Sequence, residues 1–333
     1  MTIHAYAATQ KKGALAPFTY EPAPLGPHDV EVRVTHCGIC HSDVHLVDGD
    51  WGMGRYPMVP GHEVVGTVAE SGPEVAHLER GDRVGIGWQR ASCLACAECL
   101  AGHENLCARN QATCVDHFGG FADRIRVDSR FAFPIPAALP AAAAAPLLCG
   151  GVTVYAPLSR WARPAMRVGV VGIGGLGHLA LQFAHAMGCE VTAISTSPDK
   201  EAEARGFGAH RFLATREKGA LRAAGGSLDV ILSTVFVAQD WMALVAALRP
   251  NGVLCVVGGP PEPISVPAFA LISGQKTIAG SAIGGRPAIR ETLDFAARHG
   301  VAARIEECPL PEAERGLART RAGKARYRVV LAA

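Results

Sequence analysis

Arg167-Val-Gly-Val-Val-Gly-Ile-Gly-Gly-Leu-Gly177 is the stretch on which the fold of this chain turns. Its apolar, valine-rich start predicts a buried strand. Gly172, Ile173, Gly174, Gly175, Leu176 and Gly177 follow as a turn, and the run Leu176–Met187 has the apolar period of a helix. Glycines at this spacing allow a tight turn and let the backbone come close to a pyrophosphate at the helix N-terminus. A glycine triplet alone says little. Strand, turn and helix in this order predict the first unit of a doubly wound parallel sheet of the Rossmann type.

Working outward, the alternation continues. Cys189–Ile194 reads as a strand, Asp199–Gly206 as a helix, and Leu228–Leu232 and Gly252–Val257 as further strands. Upstream of Pro140 the texture changes: short strands such as Val30–Val34 and Glu63–Ala69 are broken by Gly and Pro, which predicts a mostly-β domain. After Ser281 a helix at Ile289–His299 and a strand at Tyr327–Leu331 either extend the parallel sheet or return to the first domain.

The chain has 333 residues, so two domains are expected. A net charge of +2 supplies no electrostatic reason for a nucleic-acid partner. The basic run Arg315–Arg328 reads as a solvated face, with one arginine there a candidate for reaching a phosphate. The small-residue tract at Pro140–Pro146 is too short to span a bilayer, and no secretory leader is visible, so a soluble cytoplasmic protein without a membrane partner is expected. Eleven cysteines, an odd number, favour metal ligation in a reducing compartment over a disulfide framework.

Four of them form Cys93-x2-Cys96-x2-Cys99-x7-Cys107. Four thiolates on short loops close a tetrahedral shell around zinc and leave no position for water, so this site reads as structural. An iron–sulfur cluster uses four thiolates too, and metal analysis separates the two. A zinc ribbon that binds nucleic acid would need basic and aromatic residues around the cysteines, whereas Ala97–Asn105 is acidic to neutral.

Three remote pieces supply a second set: Cys40-His-Ser-Asp-Val-His45, read as a loop after a strand; Gly61-His62-Glu63, opening another strand; and Leu148-Cys149-Gly150. A lone Cys or His is usually packing. Together, a Cys–His–Cys set leaves a fourth position open, as catalytic zinc requires, with Asp43 and Glu63 as carboxylates that orient the ligands.

At the end of the strand after the glycine turn, an NAD-binding protein usually carries an acid for the ribose hydroxyls. Here the chain reads Ser195-Thr196-Ser197-Pro198-Asp199-Lys200. Hydroxyls and a lysine suit a 2′-phosphate, so NADP(H) is the expected cofactor. Asp199 reads as a helix-starting residue.

These motifs, with Tyr56-Pro-Met-Val-Pro-Gly-His-Glu63, Pro146-Leu-Leu-Cys-Gly-Gly-Val-Thr153, Ser281-Ala-Ile-Gly-Gly285 and Gly323-Lys-Ala-Arg-Tyr-Arg328, resemble the zinc-containing medium-chain alcohol dehydrogenases. Within them the chain is similar to the cinnamyl alcohol dehydrogenase branch and its bacterial broad-specificity, NADP-dependent aldehyde reductases, from end to end. The resemblance implies a GroES-like catalytic domain at 1–150 and 285–333 that brackets a Rossmann-type domain at 151–284. It implies that Cys40, His62 and Cys149 hold catalytic zinc, with Glu63 as an alternative ligand. Cys93, Cys96, Cys99 and Cys107 then hold a structural zinc. Ser42 would bond the substrate oxygen and His45 relay its proton outward. Gly172–Gly177, Ser195–Lys200, Thr234, Gly258, Ser281, Ala282 and Ile283 would line the dinucleotide, and Thr153 would pack near the nicotinamide. Relatives are usually homodimers joined through their cofactor domains.

Two departures stand out. The stretch after Cys107 is shorter than in the plant enzymes and lacks their tryptophan near substrate, and His210 replaces an aspartate. Trp51 and Trp88 are candidate pocket aromatics. The alternative activity is an NAD-dependent polyol or formaldehyde dehydrogenase, which needs an acid at position 195. A catalytically silent relative is the remaining rival, and the loss of a ligand, its mark, is not seen.

Overall fold

Six parallel strands lie side by side in the order Arg211–Ala214, Glu190–Ser195, Arg167–Val171, Leu228–Ser233, Leu248–Val256 and Thr277–Gly280. Their apolar residues run nearly without interruption, as in Val168, Val170 and Val171 or Val230, Ile231 and Leu232, all buried. A strand covered on both faces has no polar side to alternate with. From Arg167–Val171 the chain winds first to one side and then to the other, which makes this strand the topological switch point. The computed structural model describes residues 1–217 and 219–333.

This sheet belongs to one of two compact units, Gly151–Ile283; the other is Met1–Gly150 together with Gly284–Ala333. The second unit is built on a seven-stranded sheet around Asp29–Ile39, which pairs antiparallel with Val64–Ser71, Arg124–Asp128 and Arg328–Ala332. Val30, Val32, Val34, Val64, Phe121 and Ile125 are buried in its core. The C-terminal strands Ile305–Pro309 and Arg328–Ala332 join this sheet rather than the parallel one. The fold class is therefore the expected one: a doubly wound parallel sheet plus a mostly-β unit.

Three expectations need correction. Cys40–His45 is not a loop: His41–Asp48 is a helix that starts at once after Cys40. Cys40 N–H donates to Asp43 Oδ2 at 2.9 Å, and Gly49 ends the helix with φ +68°. Asp43 thus satisfies an orphan donor of the first turn, in the way of a capping carboxylate. Asp199 lies in a 3₁₀ turn, Pro198–Lys200, one turn ahead of the helix Glu201–Gly206.

The basic C-terminal run is also not simply solvated. Arg319 pairs with Glu306 and Arg321 with Asp48, while Arg328 is 5 % exposed and faces Glu63. Among the described residues no single helix is long and apolar enough to cross a membrane.

Candidate functional site

The Asp29–Ile39 strand delivers Cys40 to the first residue before a helix, and the start of the Val64–Ser71 strand delivers His62 and Glu63. Cys149 follows a short 3₁₀ turn, Ala145–Leu148. Ligand atoms of Cys40, His62, Glu63 and Cys149 all lie within 4.8 Å of one another. His62 and Glu63 are fully buried and Cys149 is 6 % exposed.

Asp43, itself fully buried, organises this cluster. Its Oδ1 accepts from Gly61 N–H at 2.9 Å and faces His62 Nδ1 at 3.1 Å. A carboxylate only accepts, so Nδ1 carries a ring proton and Nε2 is the nitrogen left to meet a metal. That Nε2 is buried and has no hydrogen-bond partner, and the Cys40 and Cys149 sulfurs lie beside it. A buried ring nitrogen with no hydrogen-bond partner is a costly arrangement, and a cation shared with the two sulfurs would relieve that cost. The donor set, two sulfurs and one imidazole, is one that zinc favours.

Hydrogen bonding from Cys149 holds the Cys40 thiol well below the usual thiol range, against burial, while the same bond, with burial, pushes Cys149 up. Burial likewise pushes Glu63 up to about 7, opposed by the Arg328 guanidinium, whose NH2 donates to both Glu63 oxygens at 2.5 Å. Arg328, the last arginine of the basic run, is thus engaged with Glu63. The pairing joins positions 265 residues apart, and no local pattern announces it.

Ser42 Oγ accepts from Cys40 Sγ at 3.6 Å. His45 sits one turn further along the same helix, with Nδ1 2.8 Å from Asp50 Oδ2. Residues three apart share a helix face, so both side chains are on the Cys40 side. The Trp88 ring stands edge-on to His62 at 4.9 Å, and Trp51 contacts both Trp88, at 6.3 Å, and His45, at 5.1 Å. Trp51 is 45 % exposed, so it walls the site rather than filling the core. Cys114, a single cysteine outside any ligand spacing, gives no signal in the sequence, yet its sulfur lies 3.9 Å from His62 Nδ1.

The second cysteine set closes as its spacing predicts. Ligand atoms of Cys93, Cys96, Cys99 and Cys107 lie within 4.8 Å of one another. Cys93 Sγ accepts from Cys96 N–H at 3.3 Å and Cys107 Sγ from Arg109 N–H at 3.3 Å. Backbone donors aimed at sulfur stabilise thiolates, the form that binds metal. Backbone bonds of this kind hold the Cys93 thiol at about 5, and Cys96, donating to Cys93, stays up at about 11. Glu104, buried between the last two cysteines, takes Arg286 Nε at 2.6 Å and Arg286 N–H at 2.9 Å, fastening the lobe to the helix Arg286–His299. Cys96→Ala is expected to lower stability chiefly. At about 2–4 °C per kcal/mol, the melting temperature should fall by roughly 10 °C or more, with kcat at permissive temperature within about threefold of wild type. An unchanged melting curve would mean that these thiols hold nothing.

In the other unit the dinucleotide candidates gather at the C-terminal ends of the parallel strands. Gly172 has φ +87°, and a Cβ on Gly177 would sit 1.8 Å from Gly172 O, so neither position tolerates a side chain. Gly174 differs: a Cβ there meets nothing within 4 Å. Its bare backbone faces open space ahead of the helix Gly177–Ala186, the cradle that a pyrophosphate needs. Thr234 Oγ1 donates within the loop, 2.9 Å from Val171 O and 3.0 Å from Gly172 O, and Lys200 Nζ donates to Ile173 O at 2.7 Å. Both residues brace the turn.

Ser195 closes its strand, 7 % exposed, with Oγ accepting from Ser197 N–H at 3.1 Å. Thr196 is exposed, and Ser197 is half-buried. Gly258 and Ser281 follow the next two strand ends, with N–H groups on Ser233 O and Val256 O, ahead of Ala282 and Ile283. Thr153 is buried in the helix Gly150–Trp161. His210 keeps a role at the sheet edge: its Nδ1 accepts from Val191 N–H at 3.0 Å.

Fold and donor sets define a class, and comparison with known proteins bears on it directly. The alcohol dehydrogenase GroES-like domain matches residues 26–137, and the zinc-binding dehydrogenase domain matches 175–298. An aldehyde reductase of Synechocystis is 44 % identical over 99 % of this chain and 98 % of its own length. The structure of a cinnamyl alcohol dehydrogenase from Sorghum bicolor superposes with a TM-score of 0.96, at 40 % identity over 100 % of this chain and 98 % of that one. A Helicobacter pylori enzyme of the same kind, solved with NADP(H), gives 0.91 at 32 % identity over 100 % and 98 % of the two chains. The chain belongs to the zinc-dependent medium-chain alcohol dehydrogenases and is an oxidoreductase. Within that family it falls in the cinnamyl alcohol dehydrogenase branch.

Proposed function

We propose that the protein interconverts primary alcohols and aldehydes of broad range with NADP(H), at a zinc held by Cys40, His62 and Cys149, with Glu63 as an alternative ligand. The observation that carries this reading is the buried, unpartnered Nε2 of His62 beside two sulfurs, its ring turned by Asp43. Once bound, the ion makes an alcohol oxygen easier to deprotonate and a carbonyl easier to attack. The protein's own groups do the rest. Asp43 fixes the tautomer and angle of His62 and secures the turn that presents Cys40. Trp51 and Trp88 keep water from the substrate side. Arg328 pairs with Glu63 as its counter-charge.

Ser42 accepts the hydroxyl proton of the alcohol as it gives up its own toward His45, which passes it outward, with Asp50 steadying the imidazole. Ser42→Ala should therefore lower kcat about 10²-fold, the low end for acid–base groups, while His45→Ala should cost about tenfold or less and be partly restored by imidazole buffer. A wild-type rate in Ser42→Ala would remove the relay. The NADP(H) side rests on the Gly172–Gly177 turn for the pyrophosphate and on Ser195, Thr196, Ser197 and Lys200 for the 2′-phosphate. Loss of NADPH absorbance across a panel of aldehydes tests the activity as a whole.

The protein works as a homodimer joined through the cofactor unit. Among the described residues Thr277–Gly280 is an edge strand, paired on one side only, and Phe269 and Ile272 on the preceding helix Ala268–Ile272 are 79 % and 63 % exposed. Phe269→Asp should shift the mass measured by light scattering from two chains to one; a monomeric wild type would contradict this. All eleven cysteines are free, which supports a reducing, cytoplasmic setting.

A further inference from the structure

A cavity of about 640 Å³ opens in the same unit as the cysteine–histidine cluster but away from its ligands: none of Cys40, Ser42, His62 or Cys149 lines it. It is within the size range of small-molecule sites, ~300–1,000 Å³. Its apolar wall is made by Tyr20, Phe118 and Met58, with the Tyr20 and Phe118 rings 4.5 Å apart. Three arginines line it, and two are spent. Arg55 pairs with Asp116 at 2.7 Å, and Arg126 gives Nε and NH2 to Glu31 at 2.8 and 2.7 Å.

Arg90, on the strand Gln89–Ala91, is the exception. Its side chain makes no hydrogen bond or ion pair among the described residues, and its Nε is buried without a partner. The acids that attract it from beyond contact distance are engaged elsewhere: Asp128 with Arg130, Asp29 with Gly26 N–H. Burial pulls its pKa below the ordinary arginine value, against those acids. A guanidinium half out of water with no anion is a debt of free energy that an entering carboxylate would offset.

We infer that this cavity binds a monocarboxylate with an apolar or aromatic body, its carboxylate on Arg90 and its body against Tyr20, Phe118 and Met58. Glu21, Asp29 and Asp116 in the lining disfavour a polyanion such as a nucleotide. A flat guanidinium suits a carboxylate in particular, because its two N–H bonds run parallel to the two oxygens. The cavity floor includes Cys114, whose sulfur touches the back of the His62 ring, so an occupant would lie one residue away from the catalytic cluster.

Benzoate is the probe. Calorimetric titration of the zinc-loaded enzyme should show one site per chain. Arg90→Gln should weaken it at least about tenfold, Arg90→Lys by less, and Cys40→Ser should leave it within about twofold. Photolabelling of unmodified enzyme with 4-azidobenzoate needs no variant and should mark peptides containing Tyr20, Met58 or Phe118. The inference fails if wild type binds no benzoate, if Arg90→Gln binds it equally well, if Cys40→Ser abolishes binding, or if the label falls on peptides containing Cys40 or Cys149.

Discussion

Cys40→Ala and Cys149→Ala should each lower kcat/KM by about 10⁴-fold or more while leaving a folded protein. In the proposed site either change removes one of three ligands, and two donors do not hold an open-position zinc. A metal's charge stabilisation is worth several kcal/mol, and each 1.36 kcal/mol is a decade in rate. The fold should survive because neither thiol contributes much else. Cys149 is a small buried group for which Ala removes a single sulfur, and Cys40 caps its helix through a backbone N–H bonded to Asp43, which Ala keeps. Steady-state kinetics with NADPH and an aldehyde, beside a circular dichroism melt, gives both numbers. More than a hundredth of wild-type activity in either variant would show that the cluster is not the reaction centre.

Ser195→Asp should turn cofactor preference from NADPH toward NADH. Ser195 ends its strand where a buried side chain meets the adenosine ribose in this fold, and its Oγ already accepts from Ser197 N–H. An aspartate there keeps that acceptor, so the turn is preserved, but adds a negative charge against a 2′-phosphate and an acceptor pair for free ribose hydroxyls. A lost charge-assisted hydrogen bond costs about 1.5–3 kcal/mol, and repulsion brings the total to roughly 2–4. At about 1.4 kcal/mol per decade, the ratio of kcat/KM for NADPH over NADH should fall about 30- to 700-fold. Lys200→Ala should weaken NADPH too, but its bond to Ile173 O means that part of the loss is a looser glycine turn and falls on NADH as well. An Asp variant that keeps the wild-type ratio would move the origin of preference out of the Ser195–Lys200 loop.

What the sequence discloses is what is local. The Arg167–Gly177 strand and turn carry their own signal, because glycine is required where Gly177 packs on Gly172 O. The four-cysteine lobe is legible for the same reason: its ligands are held together by a few turns of chain. Cys40, His62 and Cys149 are each weak alone, since each arrives on a different element, and they gain weight only when taken together. Arg328 against Glu63, and Arg286 against Glu104 across 182 residues, are long-range pairs whose partners no pattern names. The helix at His41–Asp48 was hidden because its cap is a backbone N–H on Asp43 and not the usual Ser or Asp at the capping position. Even the apolar stripe there is short, limited to Val44, Leu46 and Val47.

Metal content, measured by elemental analysis on unchelated protein and on Cys149→Ala side by side, tests the central claim most directly. Two zinc ions per chain are expected in wild type and one in the variant, the survivor being held by Cys93, Cys96, Cys99 and Cys107. One zinc or iron in wild type, or two zinc ions still present after Cys149 is gone, would contradict the assignment of Cys40, His62 and Cys149 as the catalytic metal site.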